Sequence, residues 1–578
     1  MNRKELQQAL EALTREEVNR VGCDTKKPHK VALVYPNTYF VGMSNLGLQI
    51  IYEEINERED SVAERVFLPS KKEMEAYERT RTPLMSVESQ RYLCDFEVIG
   101  IDITFEMDYF HIPWILKAGQ VAVRAEHRRE YDPIVIGGGP CATFNPEPLA
   151  DFFDAFIIGE GEGVISEALE IIYDARRNGV ARQELLQKLS KIAGIYVPSL
   201  YEPVYGEHGV FAGYRAEEGV PRRVLRRHAP LVRGGETVVA TDFTEFGAMY
   251  IVEVARGCGR HCRFCMAGYC YRKPRVRPLE ILKAGVDRAA KLGKKVGLMG
   301  AAISDYPEID ALVRYIRSKG LRYSCASLRA DSLTADVVQG LADSGQQTIT
   351  IAPEAGSERL RRVINKGITN DDLRHAVTLA AGAGIPHIRL YIMVGLPTET
   401  EEDIDAIITM AEEVQAHMET VGCHGRLTLS VNPFIPKPFT PFQWMPMTDK
   451  KIVTKRLQRL KKGLRKNRRI EVLVESPKEA YIQGVLARGD RRWSKAIAYA
   501  AERNGAKSFL EACEELELSV EDELYRSRSE CEPQPWNILD MGLRDDYLTE
   551  EWHRSTEEAY TAPCCDGCRR CGVCGREV

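Results

Sequence analysis

Apolar residues along this chain recur in two blocks of short strand-like runs, each run followed by an amphipathic stretch. Residues 2 to 20 read as a charged helix, and Lys30-Val-Ala-Leu-Val-Tyr-Pro opens a buried strand that a proline stops. Similar runs follow at Phe96 to Thr104, Val121 to Arg124 and Pro133 to Pro140, with amphipathic segments such as Leu46 to Ile55 between them. This alternation predicts an α/β fold with an open, Rossmann-like parallel sheet covered on both faces. The rhythm weakens between 168 and 245, where a helical segment to Lys191 precedes short strands broken by Gly and Pro. It resumes at Met249 to Val254, Lys295 to Met299, Arg322 to Ser327, Gln347 to Ile351, His387 to Val394 and Leu427 to Val431. Six strands, each with a helix after it, fit a partial (β/α)6 barrel better than a second open sheet, although spacing alone leaves both open.

The expected division is an N-terminal helical extension (1–29), a Rossmann-like domain (30–167), a connector with a small β element (168–245), a partial TIM barrel (246–445), a helical region (446–560) and a cysteine-rich tail (561–578). A length of 578 residues agrees with several domains. With 44% hydrophobic and 28% charged residues and a net charge of −5, the composition is that of a globular protein, neither a dedicated polycation nor a disordered acid. The N-terminus lacks the apolar core of a signal peptide and no membrane-spanning run occurs, so a cytoplasmic location and no membrane partner are expected. Charge is concentrated in one place: Lys450 to Arg469 holds eleven Lys and Arg and no acid, while Val453, Leu457, Leu460 and Leu464 recur at helical spacing. Such a helix is either a solvated surface or a phosphate-contacting face for an anion such as RNA.

Sixteen cysteines in a reducing compartment point away from disulfides, and eight of them crowd into 258–265 and 564–574. Cys258-x3-Cys262-x2-Cys265 places three thiols in one loop, where their thiolates repel unless a cation neutralises them. Three ligands on a cubane cluster leave one iron open for chemistry. Zinc is the competing reading, with His261 or Cys270 as a fourth ligand. In the tail, Cys565, Cys568, Cys571 and Cys574 fall at a strict three-residue interval and suit zinc or a second iron–sulfur cluster. Gly137-Gly138-Gly139-Pro and Ile157-Ile-Gly159-Glu160-Gly-Glu follow strands, either as a ligand crevice or simply as tight turns.

With Phe264 before its last cysteine, the Glu253 to Cys270 segment resembles the signature of the radical S-adenosylmethionine (SAM) superfamily. The resemblance implies that Cys258, Cys262 and Cys265 ligate a [4Fe-4S] cluster whose open iron chelates SAM, which is cleaved to methionine and a 5′-deoxyadenosyl radical. It further implies SAM contacts at Phe264, at Gly300 in Leu298-Met-Gly-Ala-Ala, at Ser327 and Arg329, at Glu354 in Ile351-Ala-Pro-Glu, and at Gly395 in Gly-Leu-Pro-Thr-Glu-Thr. The N-terminal sheet is similar to the cobalamin-binding domain that precedes many such enzymes, which makes Gly137, Gly138, Gly139, Gly159 and Glu160 candidate cobalamin contacts. No Asp-x-His-x-x-Gly occurs after the first strand, so no protein histidine is expected as the lower axial ligand. As a whole the chain resembles a bacterial radical SAM group with this N-terminal domain and a C-terminal cysteine cluster.

The expected activity is radical modification of an RNA or protein substrate, by methylation if cobalamin binds or by methylthiolation if it does not. An electron donor such as flavodoxin or ferredoxin is the expected redox partner. The alternative is a zinc-stabilised RNA-binding protein with a degenerate barrel.

Overall fold

The computed structural model describes residues 1–247, 249–326 and 328–575. Helix α1 (Arg3–Thr14) is closed by a capping box between Asn2 and Glu5. It stops short of residue 20 because Val18–Asn19 pairs with Val239–Ala240. The N-terminal sheet is built from β1 (His29–Tyr35), β2 (Ser61–Phe67), β3 (Val98–Asp102), β4 (Ile134–Gly138), β5 (Ala155–Ile157) and β6 (Ile195–Tyr196). Its order is β2-β1-β3-β4-β5-β6, parallel except for β6. This is the doubly wound order whose ligand crevice lies where the winding reverses, between β1 and β3. Helices α2 (Leu46–Glu57) and α3 (Val164–Arg177) lie against one another over the sheet.

Two expectations change here. Val121 to Arg124 is not a strand; β3 pairs directly with β4, so no ladder is free for it. In its place the sheet recruits β2, whose apolar pattern is interrupted by Glu64 and Arg65. Both charges are fully buried and paired: Arg65 lies 2.7 Å from each of Glu17 and Glu88, and Glu64 accepts hydrogen bonds from Ser86 and Ser89. A buried charge with this many partners is tolerated inside a strand.

The second block folds as β7 (Met249–Glu253), α4 (Leu279–Lys291), β8 (Lys295–Met299), α5 (Ile309–Ser318), β9 (Tyr323–Cys325), α6 (Ala335–Asp343), β10 (Thr348–Glu354), α7 (Asn370–Gly382), β11 (His387–Val394), α8 (Glu401–Thr420) and β12 (Leu427–Pro433). All its strand pairs are parallel, β7-β8-β9 in one run and β10 onward in another, and a parallel bridge from Leu328 to Ile351 joins the runs. The curved parallel sheet with helices outside is the expected partial barrel. It gains a seventh strand, β13 (Ile470–Val474), which follows the basic helix α9 (Lys450–Leu464) and pairs with β12. Val453, Leu457, Leu460 and Leu464 of α9 are buried in the barrel core.

The helices beyond β13 turn the other way. Side chains of α10 (Pro477–Arg488), α11 (Trp493–Ala501) and the start of α12 (Tyr547–Thr556) join the apolar core of the N-terminal sheet. Two polar segments lock this arrangement: Asn145 donates to the carbonyls of Ala487 and Gly489, and buried Glu147 pairs with Arg491 at 3.2 Å. The sheet's C-terminal edge also meets the barrel. Glu160, buried, pairs with Arg275 and Arg256 and accepts the Ala229 amide. Burial works against its carboxylate, but the hydrogen bonds from Arg275 and His228 and the charge of Arg256 hold its pKa well below the usual range.

Glu160→Gln is expected to destabilise the protein by about 3–5 kcal/mol at pH 7, the usual loss when one partner of a buried pair is removed. Because the folded pKa is depressed, this contribution is complete above the unfolded value of about 4.3 and is lost as pH falls below it. Chemical denaturation at pH 7 and pH 4 checks both points, with the gap between the two proteins narrowing in acid.

Candidate active site

The three-cysteine loop hangs from the end of β7. Its ends are clamped by an antiparallel pairing of Ala255–Arg256 with Arg275–Val276. Gly257 makes that clamp possible: its φ is +76° and a Cβ there would sit 2.1 Å from the Tyr271 carbonyl oxygen. Inside the loop, the Cys265 amide donates to the Cys262 carbonyl and the Arg260 amide approaches Cys258 Sγ at 3.4 Å.

The thiols act on one another. Burial, followed by the charges of Cys262 and Cys258, pushes the Cys265 thiol up to about 12. Burial also raises Cys258, opposed by the hydrogen bond from the Arg260 amide. Among the described residues no three His, Cys, Asp or Glu side chains converge as a ready coordination sphere. The donor set nevertheless fits an iron–sulfur cluster: three thiols in one short loop can all be thiolate only around a shared cation. The zinc reading loses its fourth ligands. The ring of His261 is held by Arg272 and by the Tyr547 hydroxyl, 2.5 Å from Nδ1, and Cys270 is buried in the core of the N-terminal sheet. When bound, such a cluster supplies the electron that cleaves the SAM sulfonium.

Several of the residues expected to hold SAM gather beside this loop. Glu354 ends β10 after a register shift, with φ at +68°, a strained position for a non-glycine residue. Its carboxylate takes Lys366 at 3.1 Å, and the Lys366 ammonium lies 5.8 Å from the centre of the Phe264 ring. Arg329 donates to the Lys366 carbonyl at 2.8 Å and pairs with Asp331. Both cations feel Cys262. Burial pulls the Lys366 ammonium down, but Glu354 and Cys262 outweigh it and its pKa is raised. Gly300, at the end of β8, has its Cα face 3.3 Å from the Ala255 carbonyl as judged from a Cβ placed there. Gly395 keeps other company: its amide donates to Glu399 at 2.7 Å and its carbonyl accepts Thr448. Ser327 lies outside the described residues.

The candidate cobalamin contacts divide. Gly138 faces open space and Gly139, with φ at +92°, backs onto Asp102. Gly137 packs on Phe156, Gly159 on the Arg227 backbone, and Glu160 is committed to Arg275 and Arg256. In this structure Gly137 is thus packed within its own domain, and Gly159 and Glu160 are taken up by the connector and barrel in front of β5.

Sequence reasoning missed Lys366, Arg260, Asn365 and Arg272. Arg260 pairs with Asp305 and Asp331, bracing the loop against β8 and β9. Asn365 donates to the carbonyls of His261 and Thr561 and so pins the tail to the loop. Nothing in their local sequence marks them, since each partner is distant along the chain; Lys366 alone carries a hint, in the turn Asn365-Lys-Gly that follows Glu354. In the tail, the Cys564 amide donates to the Gly259 carbonyl at 2.8 Å and its sulfur meets Arg272, whereas Cys565 is exposed.

The family descriptions "Radical SAM proteins, N-terminal" and "Radical SAM superfamily" match residues 47–198 and 252–411. An uncharacterised protein of Methanocaldococcus jannaschii is 32% identical over 480 residues, covering 81% of this chain and 90% of its own length. The chain belongs to the radical SAM superfamily and is a SAM-cleaving radical enzyme. A tRNA-2-methylthio-N(6)-dimethylallyladenosine synthase of Deinococcus radiodurans is 28% identical over 260 residues, 41% of this chain and 48% of that enzyme, so the chain spans about half of its length. Among solved structures, the cobalamin-dependent SAM radical enzyme OxsB with aqua-cobalamin bound superposes with a TM-score of 0.48 at 13% identity, over 92% of this chain and 80% of that one.

Gly257→Ala is expected to lower the iron that the chain retains after anaerobic reconstitution by at least half, because the loop clamp cannot accept a Cβ. Gly138→Ala, placed in open space, is expected to leave iron unchanged. Iron assay of the two desalted proteins checks this.

Proposed function

We propose that Cys258, Cys262 and Cys265 hold the [4Fe-4S] cluster, that Lys366, Arg329, Glu354 and Phe264 address bound SAM, and that the enzyme transfers a methyl group to its substrate. The observation that carries the site is the gathering of Lys366 with Glu354 and the Phe264 ring of the cysteine loop, with Arg329 bound to the Lys366 carbonyl. A substrate with a carboxylate next to the open iron needs two neighbouring cations, and Arg offers a fork that matches a carboxylate. Glu354 fixes Lys366, Asp331 fixes Arg329, and the Phe264 ring covers the Lys366 ammonium and keeps water from it.

Methyl transfer is favoured by the crevice at β1 and β3. Asp102, at the end of β3, has a carboxyl oxygen with no hydrogen-bond partner, and burial raises its pKa to about 7. It stands between Gly47 and Gly139, beside the open face of Gly138. An orphaned buried carboxyl at a topological switch point is what a second cofactor such as cobalamin would satisfy, and cobalamin would supply the methyl carrier. If the crevice takes no cobalamin, the kinship with the methylthio-transferring tRNA enzyme makes methylthiolation the reading. RNA itself gains little from the basic helix. Arg456 of α9 is spent on Glu399 and Glu401, and Arg459 on Asp405, all on the neighbouring α8 segment. The zinc-stabilised RNA-binding alternative gives way to membership of an enzyme family.

Reconstituted anaerobically and given SAM and dithionite, the protein is expected to release 5′-deoxyadenosine, and Cys262→Ala to reduce the rate at least 100-fold. Lys366→Met is expected to keep its iron while raising the KM for SAM about tenfold, the effect of losing roughly 1.4 kcal/mol of binding. Protein grown with hydroxocobalamin is expected to carry the cofactor's visible bands, which Asp102→Ala weakens. A spectrum with the iron–sulfur absorption but no corrin bands would replace methylation with methylthiolation.

A further inference from the structure

The tail packs against the loop that carries the first three cysteines, and two of its thiols meet one buried cation. Arg272, fully buried, sits inside the loop and donates to the Arg260 carbonyl at 3.1 Å and to the Gly268 carbonyl. Its Nη1 also reaches Cys564 Sγ at 3.1 Å and Cys571 Sγ at 3.7 Å. One guanidinium nitrogen therefore holds two tail sulfurs side by side. Cys571 is buried, and its carbonyl accepts the Arg544 amide. Cys565 is exposed.

We propose that Cys564, Cys568, Cys571 and Cys574 ligate a second iron–sulfur cluster, seated on the back of the SAM-cluster loop with Arg272 donating to its sulfurs. The set has the spacing Cys-x3-Cys-x2-Cys-x2-Cys, the intervals of a ferredoxin run taken in reverse. Structural zinc sites draw their ligands from two separated knuckles, whereas these four thiols lie on a single short turn. Hydrogen bonds from a buried guanidinium to cluster sulfurs offset the thiolate charge and set the reduction potential. The tail is held for this purpose at several points: Asn365 ties Thr561 to the carbonyl of His261, Arg263 reaches Ala559, and the Cys564 amide binds Gly259. His261, whose ring lies 3.8 Å from Cys564 Sγ, is the residue just before Cys262, so the two centres are neighbours through a single residue.

This inference rests on the first cluster being where the proposed function puts it, and its test separates the two. The full chain with Cys258, Cys262 and Cys265 all changed to alanine, reconstituted anaerobically, is expected to retain about four irons and an iron–sulfur EPR signal after dithionite reduction. Adding Cys564→Ala to that protein is expected to abolish both, and adding Cys565→Ala to leave both. In the otherwise native chain, Cys564→Ala is expected to halve the iron, remove spin–spin broadening between the two reduced centres, and keep SAM cleavage with excess dithionite, which also shows that the variant folds. Zinc in place of iron in the triple variant overturns the cluster. Loss of the signal with Cys565→Ala but not with Cys564→Ala overturns the ligand set. Failure of SAM cleavage in the native chain, with the tail signal intact, would count against the proposed function alone.

Discussion

The structure depends on holding one irregular loop still from all sides. Residues 257–274 carry the three closely spaced thiols of Cys258, Cys262 and Cys265, and a loop of that length with only one short helical turn has little rigidity of its own. Each neighbour contributes a fixed point. The barrel clamps the loop's ends through Ala255–Arg256 and Arg275–Val276, the N-terminal sheet grips Arg275 through Glu160, the segment after β10 receives the Arg263 amide at Ile364, and the tail binds Gly259. The domains are thus organised around the loop, and their mutual packing is what pre-organises its donors.

The same arrangement explains why the chain's ends return to its centre. Helices α10 to α12 leave the barrel and complete the core of the N-terminal sheet, which brings the residues after α12 back across the cysteine loop. Arg263 and Arg272 are the means: each is fully buried, Arg263 donating to the carbonyls of Val363 and Ala559 and Arg272 to the Arg260 carbonyl and the Cys564 and Cys571 sulfurs. Planar, always-charged guanidinium groups suit that task better than lysines would. Beside the Phe264 ring of the loop, Lys366 is paired with Glu354 and its carbonyl is held by Arg329, the place proposed for a carboxylate-bearing ligand.

Much of this was legible in the sequence where the signal is local. The three-cysteine spacing, the apolar runs of β1, β3, β4 and the barrel strands, and the buried stripe of α9 all announce themselves within a dozen residues. Strand β2 escaped because Glu64 and Arg65 break its apolar pattern, and their compensation comes from Glu17, Ser86 and Glu88, none of which is adjacent. Strand β13 was hidden behind the basic run. In the tail, regular spacing favoured Cys565, whereas the contact that led us to propose Cys564, its amide to Gly259, spans some three hundred residues and has no local trace. Glu160 shows the converse error: its glycine-flanked motif suggested a ligand, and its burial against Arg275 and Arg256 shows an interface.

The central claim is that the iron opposite the three cysteines is open to SAM. The EPR spectrum of the dithionite-reduced [4Fe-4S] centre, recorded with and without SAM in a chain carrying Cys564→Ala, tests it most directly. A shift in the g values on adding SAM, lost when Lys366 is replaced by Met at the same SAM concentration, is the predicted result. A spectrum indifferent to saturating SAM in the protein with Lys366 intact would contradict the account.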